Sequence, residues 1–495
     1  MSNDISIASN SGESAAERRW RCVFWAAIVA LMVWQSVIAV RGNWYSPKTP
    51  DKVEDFTAFY GAGKLALHGQ NIYDYKSSGI SRRPYLYPPT FAVFPMMPLA
   101  LLKHNAALIV FTVINNLLLF GLLWMIRDAL WRCVPPALVG VPTSGTQHEL
   151  ENSAWRRWLR HPDSGVMLAL IVVFRYVISN LKHGNANMFV AFSIGLGLWL
   201  LMRYRSALGE MSSGVAVALA TAIKVTPGIF GLYMLWTWRR WGMLGGALGL
   251  VFFLLIMPGI AMGFPNALDR LRDTQAHMTS AATGEDAEKD PIGHEGGADQ
   301  KQLEGGMSLR GSWMRYLTPK PMRFTFKDKS VKSYYANFVD LPESTARRIC
   351  QAAELALFGI TIYLTARRVA RTDPAGIALS WALIATVMPI ISPLTRKAHL
   401  CVLLISSAVI IALMQQDRIR GRARTCCIAA LAAICFEGVI FSVNFIGKLN
   451  SDWLQGVGIG FWMLLALYIS IGWSLWQLEP LTAPAETSSN VSLNQ

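Results

Sequence analysis

The chain is 495 residues long, 53% hydrophobic and 16% charged, with a formal net charge of +15. An ordinary soluble protein carries about 25% charged residues, so this balance excludes the several soluble domains that the length alone would allow. It also moves the excess positive charge away from nucleic-acid binding and towards basic loops that flank membrane segments.

Residues 1–21 are polar and then basic at Arg18, Arg19 and Arg21, which reads as a cytoplasmic N-terminal segment. The uncharged run 22–40 is longer than a signal-peptide core and lacks a clear cleavage site, so it is expected to stay as the first span. A bilayer core takes roughly 20 apolar residues per helix. Stretches of that kind recur at 106–126, 165–181, 187–202, 211–223, 226–238, 243–262, 350–366, 376–391, 398–414, 425–444 and 457–476. The expected fold class is an all-α polytopic membrane protein of about 12 transmembrane helices, its membrane domain covering 22–477. The polar tail 478–495 is expected to be disordered. No internal repeat is visible, and the seven cysteines show neither metal-ligand spacing nor a disulfide framework.

The first loop, 41–105, holds Asp51, Glu54 and Asp55 and then an amphipathic run, Ala58 to Leu67, that fits a helix lying on a membrane surface. Asp55 fits an N-cap, whose side-chain oxygen accepts a backbone N–H. The functional alternative is a carboxylate that takes a proton from a hydroxyl. Arg82 and Arg83 follow, suited to a lipid phosphate or to headgroups. Tyr85-Leu86-Tyr87-Pro88-Pro89 then opens a hydrophobic stretch, 86–102, that also carries Pro95 and Pro98. Proline is at home in a first helical turn, and this stretch is expected to be re-entrant or partial. Charge decides that point. With the N-terminus inside and 86–102 not crossing, the basic clusters at Arg127–Arg160, Arg203–Arg205, Arg239–Arg240, Arg367–Arg371 and Arg418–Arg424 all fall on the cytoplasmic side.

The same assignment leaves 41–105, 182–186, 264–349 and 392–397 outside, and the polar signals gather there. His183-Gly184-Asn185-Ala186-Asn187 joins two spans, and its amides suit helix caps or a site. Lys224, with Thr226 and Pro227, interrupts two apolar half-helices. A lysine inside a membrane costs about 2.5–3.5 kcal/mol and requires a partner, a snorkelling path or a function. Ser308-Leu309-Arg310-Gly311 lies in the large third outer loop, and Ser392-Pro393-Leu394-Thr395-Arg396-Lys397-Ala398-His399 forms a turn with two cations and a histidine. No P-loop, dinucleotide fingerprint or H-E-x-x-H motif occurs.

In these elements the chain resembles glycosyltransferase family 87, the polyprenol-phosphate-mannose-dependent mannosyltransferase-like proteins of bacteria. The likeness runs through Asp55-Phe56…Tyr60…Gly63…Leu67…Gly69…Tyr73-Asp74, then Tyr87-Pro88-Pro89…Pro98-Leu99-Ala100, Gly184-Asn185-Ala186-Asn187 and Lys224 with Thr226-Pro227. It departs where Asn185 stands for the family's glutamine, where Gly306-Met307 stands for Asn-Gln, and where only His399 remains of a histidine pair with Arg396 at a frequent tryptophan. The resemblance implies a GT-C-type bundle in a cell inner membrane, working on the extracytoplasmic face. It implies Asp55 as general base for inverting transfer of a mannose-like sugar from a polyprenyl-phosphate donor to a lipid or glycan acceptor. Lys224, Arg310, Arg396 and His399 are then expected at the donor phosphate, with Tyr60, Asn185, Asn187, Arg82 and Arg83 as further substrate contacts. Membrane lipid, the carrier-linked sugar and a glycolipid or glycan acceptor are the expected partners. Neither nucleic acid, a metal nor a separate cofactor is called for. The rival readings are a transporter or flippase of a lipid-linked sugar, and a non-catalytic relative that binds lipid carriers.

Overall fold

The computed structural model describes residues 15–44, 55–80, 85–134, 161–283, 306–319, 321–325, 331–393, 395–441 and 443–478. Each of the twelve stretches expected to span the membrane falls on a helix. Seven helices among the described residues are long and apolar enough to cross by length and composition: α1 (Ala15–Gly42, apolar from Arg18), α4 (His104–Cys133), α5 (Pro162–His183), α9 (Arg240–Met262), α14 (Pro374–Ile391), α15 (Lys397–Gln415) and α18 (Ile459–Gln477). The other expected spans correspond to α6 (Asn187–Arg203), α7 (Ala207–Ile223), α8 (Gly228–Trp236), α12 (Glu343–Thr365) and α16 (Gly421–Val439), which are shorter or carry more charge. The helix at 226–238 is only nine residues, because Pro227 opens it and Thr237 closes it.

The stretch 86–102 is helical only over α3 (Pro89–Leu99), which at about 1.5 Å per residue reaches roughly half of a ~30 Å hydrocarbon core. Pro89 occupies its first turn as the motif predicts, and the helix is interrupted near Phe94-Pro95, a cis peptide. Before it, α2 (Asp55–Leu67) starts three residues earlier than the apolar run suggests, with Asp55 as its first residue. α2 packs on α3 through Phe59, whose ring stands edge-on to Tyr85, Tyr87 and Phe91.

The region 264–349, expected as a long outer loop, holds regular structure among its described residues. It contains α10 (Phe264–Thr283), α11 (Leu309–Leu317) and an antiparallel hairpin of β1 (Met322–Thr325) and β2 (Val331–Tyr334). A short helix, α13 (Arg368–Thr372), precedes α14. The kinked α17 (Val443–Gly456) occupies the stretch expected to be a connection before the last span.

α14 and α15 form the centre, with nearly every residue buried, while α1 and α9 sit at the periphery. Two groups of helix ends result. At one end, Arg127 pairs with Asp163, Arg239 with Glu210 at 2.9 Å, and Arg418 with Asp373 at 2.8 Å. These are the basic turns expected together on one side. At the opposite end of the same helices lie the N-terminus of α2, the turn 184–187, the break at 224–227 and the segment 392–399.

Candidate functional site

The site is built on the turn between α5 and α6. α5 ends because Gly184 adopts a left-handed conformation (φ 59°), and its N–H caps Asn180 and Leu181 carbonyls. A side chain there would meet Phe56: an added Cβ would lie 2.6 Å from the Phe56 Cβ. Glycine therefore lets the turn lie directly against the first turn of α2.

That contact brings Asn185 to Asp55. Asn185 Nδ2 donates to Asp55 Oδ2 at 2.7 Å, and the Tyr87 hydroxyl donates to Asn185 Oδ1 at 3.4 Å. Tyr87 thereby fixes which way the amide faces, because an oxygen that accepts from Tyr87 leaves only the NH₂ for the carboxylate. Asn185 is buried, whereas Asp55 is half-buried and keeps solvent access.

Two residues later, Asn187 opens α6 and does the corresponding job for a cation. Its Oδ1 accepts from Lys224 Nζ at 3.1 Å, and its Nδ2 donates to the Ala398 carbonyl at 3.2 Å. Lys224 caps α7 in extended conformation, so the chain breaks there and the ammonium turns inward. One turn thus holds a carboxylate on one side and an ammonium on the other, and Asp55 lies within electrostatic reach of both Lys224 and Tyr87.

Lys224 faces a small cleft whose polar wall is Asn187, Lys224, Thr226, Ser392, Thr395 and His399. Val190, Met388, Pro389 and Val402 form the apolar wall. Asp55 does not line this cleft; it stands beside it, across the 184–187 turn. The 392–399 wall is joined to the segment before α11, because Met307 N–H donates to the Thr395 carbonyl at 2.9 Å. The Tyr73 hydroxyl donates to the Tyr87 carbonyl at 3.1 Å and pairs with Thr274 of α10. Burial holds that phenol well above its usual range, so it remains a hydrogen-bond donor.

Asp55, Asn185, Asn187, Lys224 and His399 are therefore brought together about the 184–187 turn and its cleft. The remaining candidates are not. Arg310 pairs with Glu354 on α12 through two hydrogen bonds of 3.3 and 2.8 Å and does not line the cleft. Arg396 is exposed and absent from the cleft wall; its backbone meets His399 twice, the N–H donating to Nδ1 at 3.4 Å and the carbonyl accepting from the His399 N–H at 2.9 Å. Tyr60 sends its hydroxyl to the Leu102 carbonyl at 2.7 Å and packs between Phe56 and His104. Arg82 and Arg83 lie outside the described residues. Tyr87 and the hydroxyls of Ser392 and Thr395 are members that sequence reasoning did not assign. The Tyr-Pro-Pro signature was a usable signal for the first, since Pro88 and Pro89 fix where Tyr87 leaves the chain. Among the described residues no group of His, Cys, Asp and Glu is placed to hold a metal ion.

Fold and site together define a helical membrane protein with a polar cleft at one end of its bundle. The family model of Glycosyltransferase family 87 matches residues 85–285, which supports a relation to that family and a membrane glycosyltransferase activity. The matched stretch runs from Tyr85 through α10. It includes Tyr87, Asn185, Asn187 and Lys224, and stops short of Asp55 on one side and His399 on the other. No curated protein and no solved structure matches the chain.

Proposed function

We propose that the protein transfers a sugar, mannose or a close relative, from a polyprenyl-phosphate donor to a hydroxyl of a lipid or glycan acceptor at the extracytoplasmic face of the inner membrane. The observation that carries this reading is the 184–187 turn, which holds a carboxylate acceptor at Asn185 and an ammonium at Asn187 on a rigid base. The acceptor oxygen attacks the anomeric carbon as the bond from that carbon to the phosphate oxygen breaks on the opposite side. Asp55 takes the acceptor's proton. Lys224 meets the charge that develops on the leaving phosphate, with the Thr226, Ser392 and Thr395 hydroxyls and His399 as further partners in the same cleft. Inversion follows from attack and departure on opposite faces. Arg310 and Arg396 have no place at the phosphate in this scheme, given their positions.

A single lysine with several neutral donors suits a phosphate monoester or diester better than a pyrophosphate, which would call for more cations. Access from the side is favoured by the outward stripe Ile109, Val113 and Leu117 on α4, one helical turn apart and exposed, along which a prenyl chain can lie. The twelve-crossing topology with the N-terminus inside belongs to the same proposal.

The test is reconstitution into liposomes with a radiolabelled polyprenyl-phosphate sugar, a nucleotide sugar as the alternative donor, and a panel of lipid and glycan acceptors. Label reaching an acceptor from the lipid-linked donor alone is expected. Transfer from the nucleotide sugar alone contradicts the donor assignment. Label crossing the bilayer with no product identifies a flippase instead.

A further inference from the structure

Behind the cleft, the segment that carries Thr395 and His399 is moored by a buried ion pair outside the cleft wall. Lys397 Nζ lies 3.1 Å from Glu437 Oε1, and Glu437 on α16 is only 2% exposed. The Tyr176 hydroxyl on α5 donates to Glu437 Oε2 at 2.7 Å, and the same hydroxyl approaches the Ile434 carbonyl at 3.1 Å. One carboxylate is thus shared by the first turn of α15, by α5 and by α16.

Stability alone does not call for this arrangement. A buried ion pair loses so much hydration that apolar residues of similar volume commonly do as well or better. An acid placed in a membrane bundle is costly unless it is paired. What the pair supplies is a fixed position. Lys397 is followed by Ala398, whose carbonyl accepts from Asn187 Nδ2, and Asn187 in turn holds Lys224. The contacts run without a gap from Glu437 through Lys397, Ala398 and Asn187 to the ammonium facing the cleft.

We propose that Glu437 is a positioning residue: by holding Lys397 it sets the 395–399 segment against α6 and so fixes where Asn187 presents Lys224 and where His399 and Thr395 stand. The kinetic consequence rests on the transferase reading; the structural one does not.

The variant to use is the double substitution Lys397→Met/Glu437→Gln. It removes both charges and keeps an acceptor for Tyr176, so the fold is not left with an unpaired buried ion. The full-length protein in nanodiscs is expected to unfold at the wild-type temperature. Its backbone amides at 395–402 are expected to exchange about tenfold faster, with α14 unchanged, because the local opening of that segment becomes easier. With a polyprenyl-phosphate sugar, KM is expected to rise about tenfold while kcat falls less, as a misplaced binding group predicts. Glu437→Gln alone is the comparison, expected to lower the unfolding temperature because Lys397 loses its partner. Wild-type exchange over 395–402 in a stably folded double variant overturns the proposal. If the wild-type protein transfers no sugar from this donor, the transferase reading falls and the exchange result alone decides the role of Glu437.

Discussion

Gly184→Ala is the substitution whose effect follows most directly from the geometry. Two costs add. An alanine at φ 59° sits in the left-handed region, at roughly 1–2 kcal/mol. Its Cβ would also lie 2.6 Å from the Phe56 Cβ, inside any normal carbon contact, so the turn or the start of α2 must move. Overpacking of this kind costs about 1–3 kcal/mol, which brings the sum to about 2–5 kcal/mol. Gly79 supplies the control: its φ is 68° and nothing lies within 4 Å of an added Cβ, so Gly79→Ala carries the backbone cost without the collision. The movement at Gly184 pulls Asn185 from Asp55, and a displacement near 1 Å in a catalytic constellation can cost about 10²-fold in rate. Thermal unfolding and sugar transfer on the two variants are the assays. Gly184→Ala should unfold at lower temperature than Gly79→Ala and transfer about a hundredfold more slowly. Equal stability and equal rates for the two would refute the claim that the turn is pressed against α2 to set Asp55.

Three further outcomes are expected. Lys224→Met removes the ammonium held by Asn187 and should lower kcat/KM by about 10²–10³-fold, the scale for losing one preorganised charge-stabilising group; direct kinetics with varied donor measure it. Tyr87→Phe removes only the long hydrogen bond that orients Asn185, so a smaller loss is expected, about three- to tenfold, matching a hydrogen bond of about 0.5–1.5 kcal/mol. Lys76→Cys, in a background with Cys22 replaced by Ser, puts a thiol on an exposed position of the first loop. It should react with a membrane-impermeant reagent applied to the extracytoplasmic side of sealed membranes, and labelling only after lysis would reverse the proposed orientation.

The parts of the site that were legible in the sequence share one property: each lies where an apolar run stops. Asp55, Asn185, Asn187, Lys224 and His399 occupy helix ends, and alternating helices carry their outer ends to one side whatever their lateral order. Charge grouped the basic ends, and in the structure Arg239 pairs with Glu210 and Arg418 with Asp373. Lateral arrangement was not legible. Arg310 looked available because its partner, Glu354, lies on another helix whose facing direction depends on packing. Tyr60 and Tyr87 are both tyrosines of the stretch 41–105, yet one points to Leu102 and the other to Asn185; the rotation of α2 against α3 decides which. Glu437 was invisible as a partner of the 392–399 segment, since its run reads simply as an apolar helix with one acid. At 226–238 two terminators leave a helix of nine residues, shorter than the apolar run that contains it.

The central claim is that Asp55 removes the acceptor proton. Asp55→Asn keeps the shape, leaves an oxygen to accept from Asn185, and preserves a residue equally good at a helix start. Single-turnover transfer from a polyprenyl-phosphate sugar should fall by about 10²–10⁴-fold, the usual contribution of a general base, with the unfolding temperature unchanged. Transfer at the wild-type rate by the folded variant would contradict the account.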